Sequence, residues 1–88
     1  MSKKNVIGPK VREVRAGKGR TQTQLATKLG KRGWHCSVED IARIEAGDEP
    51  VSDAQFLVLG IVLEVDHVEL FPSVMAKELR RDKEPGSD

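Results

Sequence analysis

Three segments of the chain share one helix-start pattern, and this repetition restricts the fold more than any other feature. In each segment a Ser or Thr is followed three residues later by a side chain that can reach back to it; the pairs are Thr21 with Gln24, Ser37 with Asp40, and Ser52 with Gln55. In such a capping box the hydroxyl accepts from the third helical N–H, and the partner side chain accepts from the N–H of the cap. The pattern therefore predicts several short helices in series.

Glycine and proline mark the other helix boundaries. The sequence Ile-Gly-Pro at residues 7–9 opens a first helix, because proline suits a first turn, and residues 16–19, with two glycines, end it. The second helix fades around residues 30–33, and Gly47 stops the third. A short fifth helix that starts at Asp66 is interrupted by Pro72.

Apolar residues recur at helical spacing. One face of the fourth helix carries the series i, i+3, i+4 and i+7, namely Phe56, Leu59, Gly60 and Leu63. No strand-type alternation runs longer than a few residues. We therefore expect an all-α domain, a compact five-helix bundle, over residues 7–71.

The flanking segments lack this periodicity. Residues 1–6 are polar and predict a flexible N-terminus, and residues 72–81 predict a C-terminal extension with a short helix. Residues 82–88 predict a disordered tail, because charged sequence with Pro and Gly has nothing to bury.

Composition excludes several classes of protein. The single Cys excludes a disulfide framework and an all-thiolate zinc site. His35, Cys36 and His67 are too few and wrongly spaced for a metal, and Cys36 lacks a base that would activate it as a nucleophile. We therefore expect no metal, no cofactor, no catalytic residues and no enzymatic activity.

The chain also lacks sequence signals for membranes. It has no run of 18 apolar residues, and no apolar stretch follows the N-terminal Met-Ser-Lys-Lys. We expect a cytoplasmic protein with neither a membrane nor a small-molecule partner.

Charge is balanced overall but divided along the chain. Fifteen Lys and Arg against fourteen Asp and Glu give a net charge of +1. Residues 1–35 carry ten basic residues and one acid, whereas residues 36–88 carry five basic residues and thirteen acids. Such asymmetry indicates nucleic-acid contact by the basic part, although charged runs also solvate a surface without binding anything.

Two capped helices joined by a glycine-containing turn suggest a helix-turn-helix. The sequence TQTQLA at residues 21–26, followed by IARIEAG at residues 41–47, resembles the lambda-repressor-like (Cro and repressor, XRE-type) helix-turn-helix family, over about residues 6–71. The chain looks like a variant with a lengthened turn at residues 29–37. The resemblance implies a transcriptional regulator that binds duplex DNA sequence-specifically, commonly as a dimer on a pseudo-palindromic site.

The resemblance also implies where DNA would lie, with the recognition helix, about residues 38–46, in the major groove. The N-terminus of the second helix suits a phosphate, whereas side chains of the recognition helix reach base edges. The candidate DNA-binding residues are Gln22, Thr23, Lys28, Lys31, Arg32, Val38, Glu39 and Arg43. Arg20, where the family usually has an apolar residue, is expected to pack its stem and send its head to solvent, where it too can reach a phosphate.

Two acids begin the recognition helix. Asp40 is interpreted as a cap. Glu39 has three readings: it accepts from cytosine N4, it selects against most sequences, or it marks a member that has lost DNA binding.

Other residues are interpreted as structural. Arg15 and Glu45 match a pair that the family uses as an internal salt bridge. Trp34 is expected to fill space that the lengthened turn opens.

The fourth helix carries apolar residues off its buried face. An exposed apolar patch usually marks a partner surface. We expect a homodimer interface formed by Leu57, Val58, Ile61 and Val68. The alternative is that the C-terminal segment of the same chain buries this patch. The alternative function is a protein-interaction module or antitoxin-like partner of the same fold, with weak or no DNA binding.

Overall fold

The structure, a computed structural model, describes residues 3–73, 75 and 78 of the chain. This part is helical and contains no strand. Its elements are α1 (Gly8–Gly17), α2 (Gln22–Lys31), α3 (Val38–Ala46), α4 (Asp53–Leu63) and a 3-10 helix (His67–Leu70). None of these helices is long and apolar enough to cross a membrane.

The all-α prediction agrees with this part of the chain, but the fifth helix is only a 3-10 turn. Asp66 accepts a hydrogen bond from the N–H of Val68, two residues on, rather than from the third N–H of an α-helix. Pro72 lies two residues beyond this 3-10 helix, and the next described residues, 73, 75 and 78, are helical again. Of the five predicted helices over residues 7–71, four are α-helices and the fifth is a 3-10 helix, so the five-helix count is confirmed only in part.

All three capping boxes form. In each, the hydroxyl accepts from the N–H three residues on, and the partner side chain accepts from the N–H of the cap, over distances of 2.8–3.1 Å. The helices therefore begin where the sequence indicates. At the other end of α3, Gly47 adopts a left-handed conformation with φ 82°, which glycine reaches without a steric penalty.

The core lies where α1, α2, α3 and α4 meet. Its fully buried side chains are Val11, Leu25, Leu29, Ile41, Leu59, Leu63 and Leu70. Trp34, from the long turn between α2 and α3, is half-buried and packs against this cluster. The turn therefore contributes apolar contact to the core.

Residues before α1 contact the end of α3. The backbone N–H of Lys4 donates to the carbonyl of Gly47 (2.8 Å), and the ammonium of Lys3 donates to the carbonyl of Ala46 (2.8 Å). These bonds satisfy C-terminal carbonyls of α3. The flexibility expected for residues 1–6 stays a prediction. The predicted tail, residues 82–88, and all of the predicted extension except residues 72, 73, 75 and 78 lie outside the described residues.

The start of α1 approaches the backbone of α3 closely. A Cβ placed on Gly8 would lie 2.2 Å from the carbonyl oxygen of Ile44 and 2.8 Å from that of Glu45. Both obstacles are backbone atoms, so neither can rotate away. Only glycine permits this contact between the two helices.

We expect Gly8→Ala to lower the free energy of unfolding by about 1–3 kcal/mol, because the added methyl group must push α1 off α3. Gly17→Ala is the matched control in the same helix, since nothing lies within 4 Å of the Cβ it would add. The control should change stability by less than about 1 kcal/mol, towards higher stability. Urea unfolding measures both variants, and equal effects would contradict the close-contact interpretation.

Candidate nucleic-acid interface

A single carboxylate joins three helices. Glu45 of α3 receives Nε of Arg15 at 2.6 Å on Oε2 and Nη2 of Arg15 at 3.2 Å on Oε1. The same Oε1 accepts from Nε2 of Gln22 at 3.0 Å, and Arg15 also donates to the carbonyl of Arg20 at 2.7 Å. The side chains of Arg15 and Glu45 are only 12% and 3% exposed. The fork-shaped pair joins α1 to α3, and the hydrogen bond from Gln22 holds the N-terminus of α2 against α3.

The N-terminus of α2 is suited to an anion. Thr21 caps the N–H of Gln24. The N–H groups of Gln22 and Thr23 have no helical acceptor, because they lie in the first turn of the helix. The first turn of α2 contains no acidic residue, and Arg12 lines the same hollow as Gln22, of about 200 Å³. Gln22, at the positive end of the α2 dipole, and Arg12 therefore line one small opening together with the paired Arg15 and Glu45.

Helix α3 presents a narrow outward face. Ile41 and Ile44 are buried, whereas the exposed side chains are those of Val38, Glu39, Ala42, Arg43 and Ala46. The two alanines form the middle of this face, which lets another molecule approach the helix backbone closely. Ala42 and Ala46 also line the hollow that contains Gln22, so this face of α3 adjoins the N-terminus of α2.

Arg43 is paired within the chain. Its side chain is 51% exposed, its Nε donates to Oε1 of Glu49 at 3.3 Å, and its Nη2 forms an ion pair with Asp40. The backbone hydrogen bond from Ser37 lowers the pKa of Asp40 below its ordinary value, and the charge of Arg43 adds to this effect. Asp40 is thus the cap that the sequence suggests and also a partner of Arg43.

Glu39 differs from its acidic neighbour. In the described part of the chain it makes no hydrogen bond or ion pair, and its side chain is exposed. Its carboxylate is therefore available to a molecule that approaches α3.

The other basic candidates occupy a different place. A groove of about 200 Å³ is lined by three basic residues at the C-terminal end of α2, namely Lys28, Lys31 and Arg32. Its other wall is formed by Ile61 and Val62 of α4 and by Glu64, the residue that follows α4. They lie farther along α2 than Gln22, by about 9 Å of helix for Lys28 and about 14 Å for Lys31, given a rise of about 1.5 Å per residue. The structure thus divides the candidate residues into two groups. The α2–α4 group is Lys28, Lys31 and Arg32, and the α2–α3 group is Gln22, Thr23, Val38, Glu39 and Arg43.

Arg20 does not behave as expected. Its Nη1 donates to the carbonyl of Val62 at 2.8 Å and its Nη2 to Glu64 at 3.1 Å, so its head is not in solvent. The guanidinium caps the end of α4, where Glu64 has a φ of 59°. Because this head is occupied, Arg20 is not a candidate phosphate contact.

The apolar surface of α4 is smaller than predicted. Leu57 and Ile61 are 53% and 47% exposed and lie one turn apart, and Val58 is half-buried. Val68 is only 9% exposed, because the 3-10 helix turns it inwards. The structure therefore corrects the extension of this patch to Val68.

The sulfur and imidazole groups assemble no reactive site among the described residues. Burial, followed by the charge of Asp40, raises the pKa of the Cys36 thiol, which therefore stays protonated at neutral pH. The described residues contain no group of three side chains that could hold a metal ion.

Helices α2 and α3 are both capped and follow one another in the chain, and the exposed face of α3 lies beside the N-terminus of α2. This arrangement defines a helix-turn-helix protein. No family model and no curated protein matches the chain. Among solved structures, the chain is similar to the restriction-modification controller protein C.AhdI from Aeromonas hydrophila, with 31% identity and a TM-score of 0.64. The match covers 74% of this chain and 91% of that one. The chain belongs to the lambda-repressor-like, XRE-type helix-turn-helix family.

We expect Glu45→Gln to lower the free energy of unfolding by about 3 kcal/mol, because it leaves Arg15 without a charge partner in a poorly solvated place. Glu13→Gln is the control, since it removes the same charge from an exposed pair with Lys10 in α1. The control should cost less than about 1 kcal/mol. Urea unfolding at neutral pH compares the two, and equal losses would show that burial of the Glu45 pair has no energetic consequence.

Proposed function

We propose that the chain is a cytoplasmic, sequence-specific transcriptional regulator that binds duplex DNA with α3 in the major groove. The observation that carries the proposal is the outward face of α3, small in its middle and flanked by Val38, Glu39 and Arg43, next to an anion-suited helix N-terminus. Membership of the lambda-repressor-like family supports it. The similarity to a controller protein supports the regulatory role.

Each residue of the α2–α3 group has a chemical role in this proposal. The N-terminal N–H groups of α2, at Gln22 and Thr23, bind a backbone phosphate and so set the position of α3. Arg43 donates to guanine, Val38 contacts a thymine methyl group, and Glu39 accepts from N4 of cytosine. Base reading is therefore assigned to three side chains of one helix.

The α2–α4 group has a sequence-independent role. Lys28, Lys31 and Arg32 attract the DNA backbone and contact phosphates beside the recognition surface. Their charges raise affinity for every duplex to a similar extent, because a phosphate has the same chemistry at each base pair.

The proposed regulator acts as a homodimer. Leu57 and Ile61, flanked by the half-buried Val58, form the exposed apolar patch that a second copy would cover. A two-fold axis through α4 would place two recognition helices in successive major grooves about 34 Å apart. The matching operator is a pseudo-palindrome.

Selection from a random pool of duplexes tests DNA binding directly. We expect the purified chain to enrich one sequence. For each phosphate contacted, the logarithm of its affinity should fall by about 0.9 for every tenfold rise in salt concentration. Arg43→Ala should weaken binding to the selected duplex by about 5–150-fold, the range of one bidentate base contact, and affect a scrambled duplex less.

The matched control for Arg43 is the double variant Lys31→Ala with Arg32→Ala. It should weaken binding to the selected and scrambled duplexes nearly equally, because phosphate contacts carry no sequence information. If the chain binds no duplex at low salt, the DNA-binding proposal is wrong. The basic groove around the exposed Ile61 would then favour a protein-interaction module.

Sedimentation tests the dimer. We expect wild-type chain to sediment as a dimer at micromolar concentration and Ile61→Glu to sediment as a monomer, because a buried carboxylate would disrupt the apolar contact. Val6→Glu is the control, since Val6 is also an exposed apolar residue, 46% exposed, but lies outside α4. A wild-type monomer at high micromolar concentration contradicts the proposal.

A further inference from the structure

The guanidinium of Arg43 lies between two carboxylates from different parts of the chain. Asp40 belongs to α3, one turn before Arg43, whereas Glu49 belongs to the connection between α3 and α4. Two of the five N–H groups of an arginine side chain are thereby engaged. The residue proposed to read a base is thus already paired within the chain.

Glu49 is positioned by backbone contacts that do not involve the side chain of Arg43. Nδ2 of Asn5 donates to the backbone carbonyl of Glu49 at 2.7 Å and to that of Ile44 at 3.1 Å. The N–H of Asp48 also donates to the carbonyl of Arg43 at 2.8 Å. These backbone contacts fix the connection to the end of α3, so the carboxylate of Glu49 is presented to the guanidinium by the fold.

A backbone phosphate and a carboxylate offer an arginine similar chemistry, since both are oxygen anions that accept charge-assisted hydrogen bonds. Arg43 would therefore gain little binding free energy if it left Glu49 and Asp40 for a phosphate. Guanine presents two acceptors, N7 and O6, that an arginine contacts bidentately, so a matched base pair offers a gain that a random sequence does not.

We propose that Glu49, together with Asp40, is a specificity-determining residue that withholds Arg43 from phosphates and releases it to a matching base. The inference rests on the proposed function, because it requires Arg43 to face DNA. Glu49 acts by reducing affinity for wrong sequences, which raises the ratio of specific to non-specific binding. Its negative charge by itself would lower affinity for every duplex alike and leave that ratio unchanged, so the effect on the ratio comes from the pairing with Arg43.

The test variant is Glu49→Gln, which preserves side-chain volume and removes the charge. The probes are the duplex selected by the wild-type chain and a scrambled duplex of the same length and composition. We expect affinity for the scrambled duplex to rise about 3-fold, the scale of an exposed ion pair, and affinity for the selected duplex to rise less. The ratio of affinity for the selected duplex to affinity for the scrambled duplex should therefore fall, and Glu49→Ala should lower this specificity ratio too.

Asp48→Asn is the matched control. Asp48 precedes Glu49, carries the same charge and is paired with Lys3 at 3.9 Å rather than with Arg43. Its substitution should raise affinity for both duplexes equally and leave the specificity ratio unchanged. An equal change in that ratio for Asp48→Asn and Glu49→Gln overturns the inference, because only general charge would then be acting.

A double-mutant cycle isolates the pair. In an Arg43→Ala background, Glu49→Gln should no longer change the specificity ratio, and an unchanged effect there overturns the inference. In the free protein, the Nε–H nuclear magnetic resonance of Arg43 should shift in Glu49→Gln and not in Asp48→Asn, which tests the ion pair without DNA.

The two proposals fail in different ways. A wild-type chain that binds no duplex overturns the proposed function and this inference with it. A Glu49→Gln variant that binds DNA with the wild-type specificity ratio overturns this inference alone.

Discussion

The buried carboxylate of Glu45 is the interaction on which the geometry of this small fold depends. It engages Arg15 from α1 and Gln22 from α2 while belonging to α3, so three helices meet at two oxygen atoms. A charge this poorly exposed is tolerated only because its partners surround it. The same contacts hold the start of α2 at a fixed distance from the outward face of α3, which sets the spacing between the proposed phosphate contact and the proposed base-reading surface.

The C-terminal end of α3 is held by a second set of contacts, from the chain that precedes α1. Asn5 reaches the carbonyls of Ile44 and Glu49, and Gly8 lets the start of α1 rest on the α3 backbone. Helix α3 is short, so contacts at its end and along its buried side leave it little freedom to tilt. A rigid recognition element is what precise base reading requires.

Local signals in the sequence predict the helix starts well and long-range polar contacts poorly. The capping boxes act within four residues, so Thr21, Ser37 and Ser52 reveal where α2, α3 and α4 begin. The contact of Arg20 with the end of α4 spans 42 residues, and the pairing of Glu49 with Arg43 depends on the path of a connection. No spacing rule encodes either contact, because each exists only after the helices have packed. Arg15 and Glu45 could be paired in advance only through the family resemblance.

The acids around α3 oppose DNA less than their number suggests. Between residues 39 and 49, Asp40 is paired with Arg43, Glu45 with Arg15, Asp48 with Lys3, and Glu49 with Arg43. Each paired carboxylate presents a dipole rather than a full charge to an approaching phosphate, and its field falls off more steeply with distance. Within the described residues of this stretch, Glu39 is the acid that makes no ion pair. The electrostatic cost of placing α3 in a groove is therefore concentrated at one side chain, the same one that is proposed to accept from cytosine.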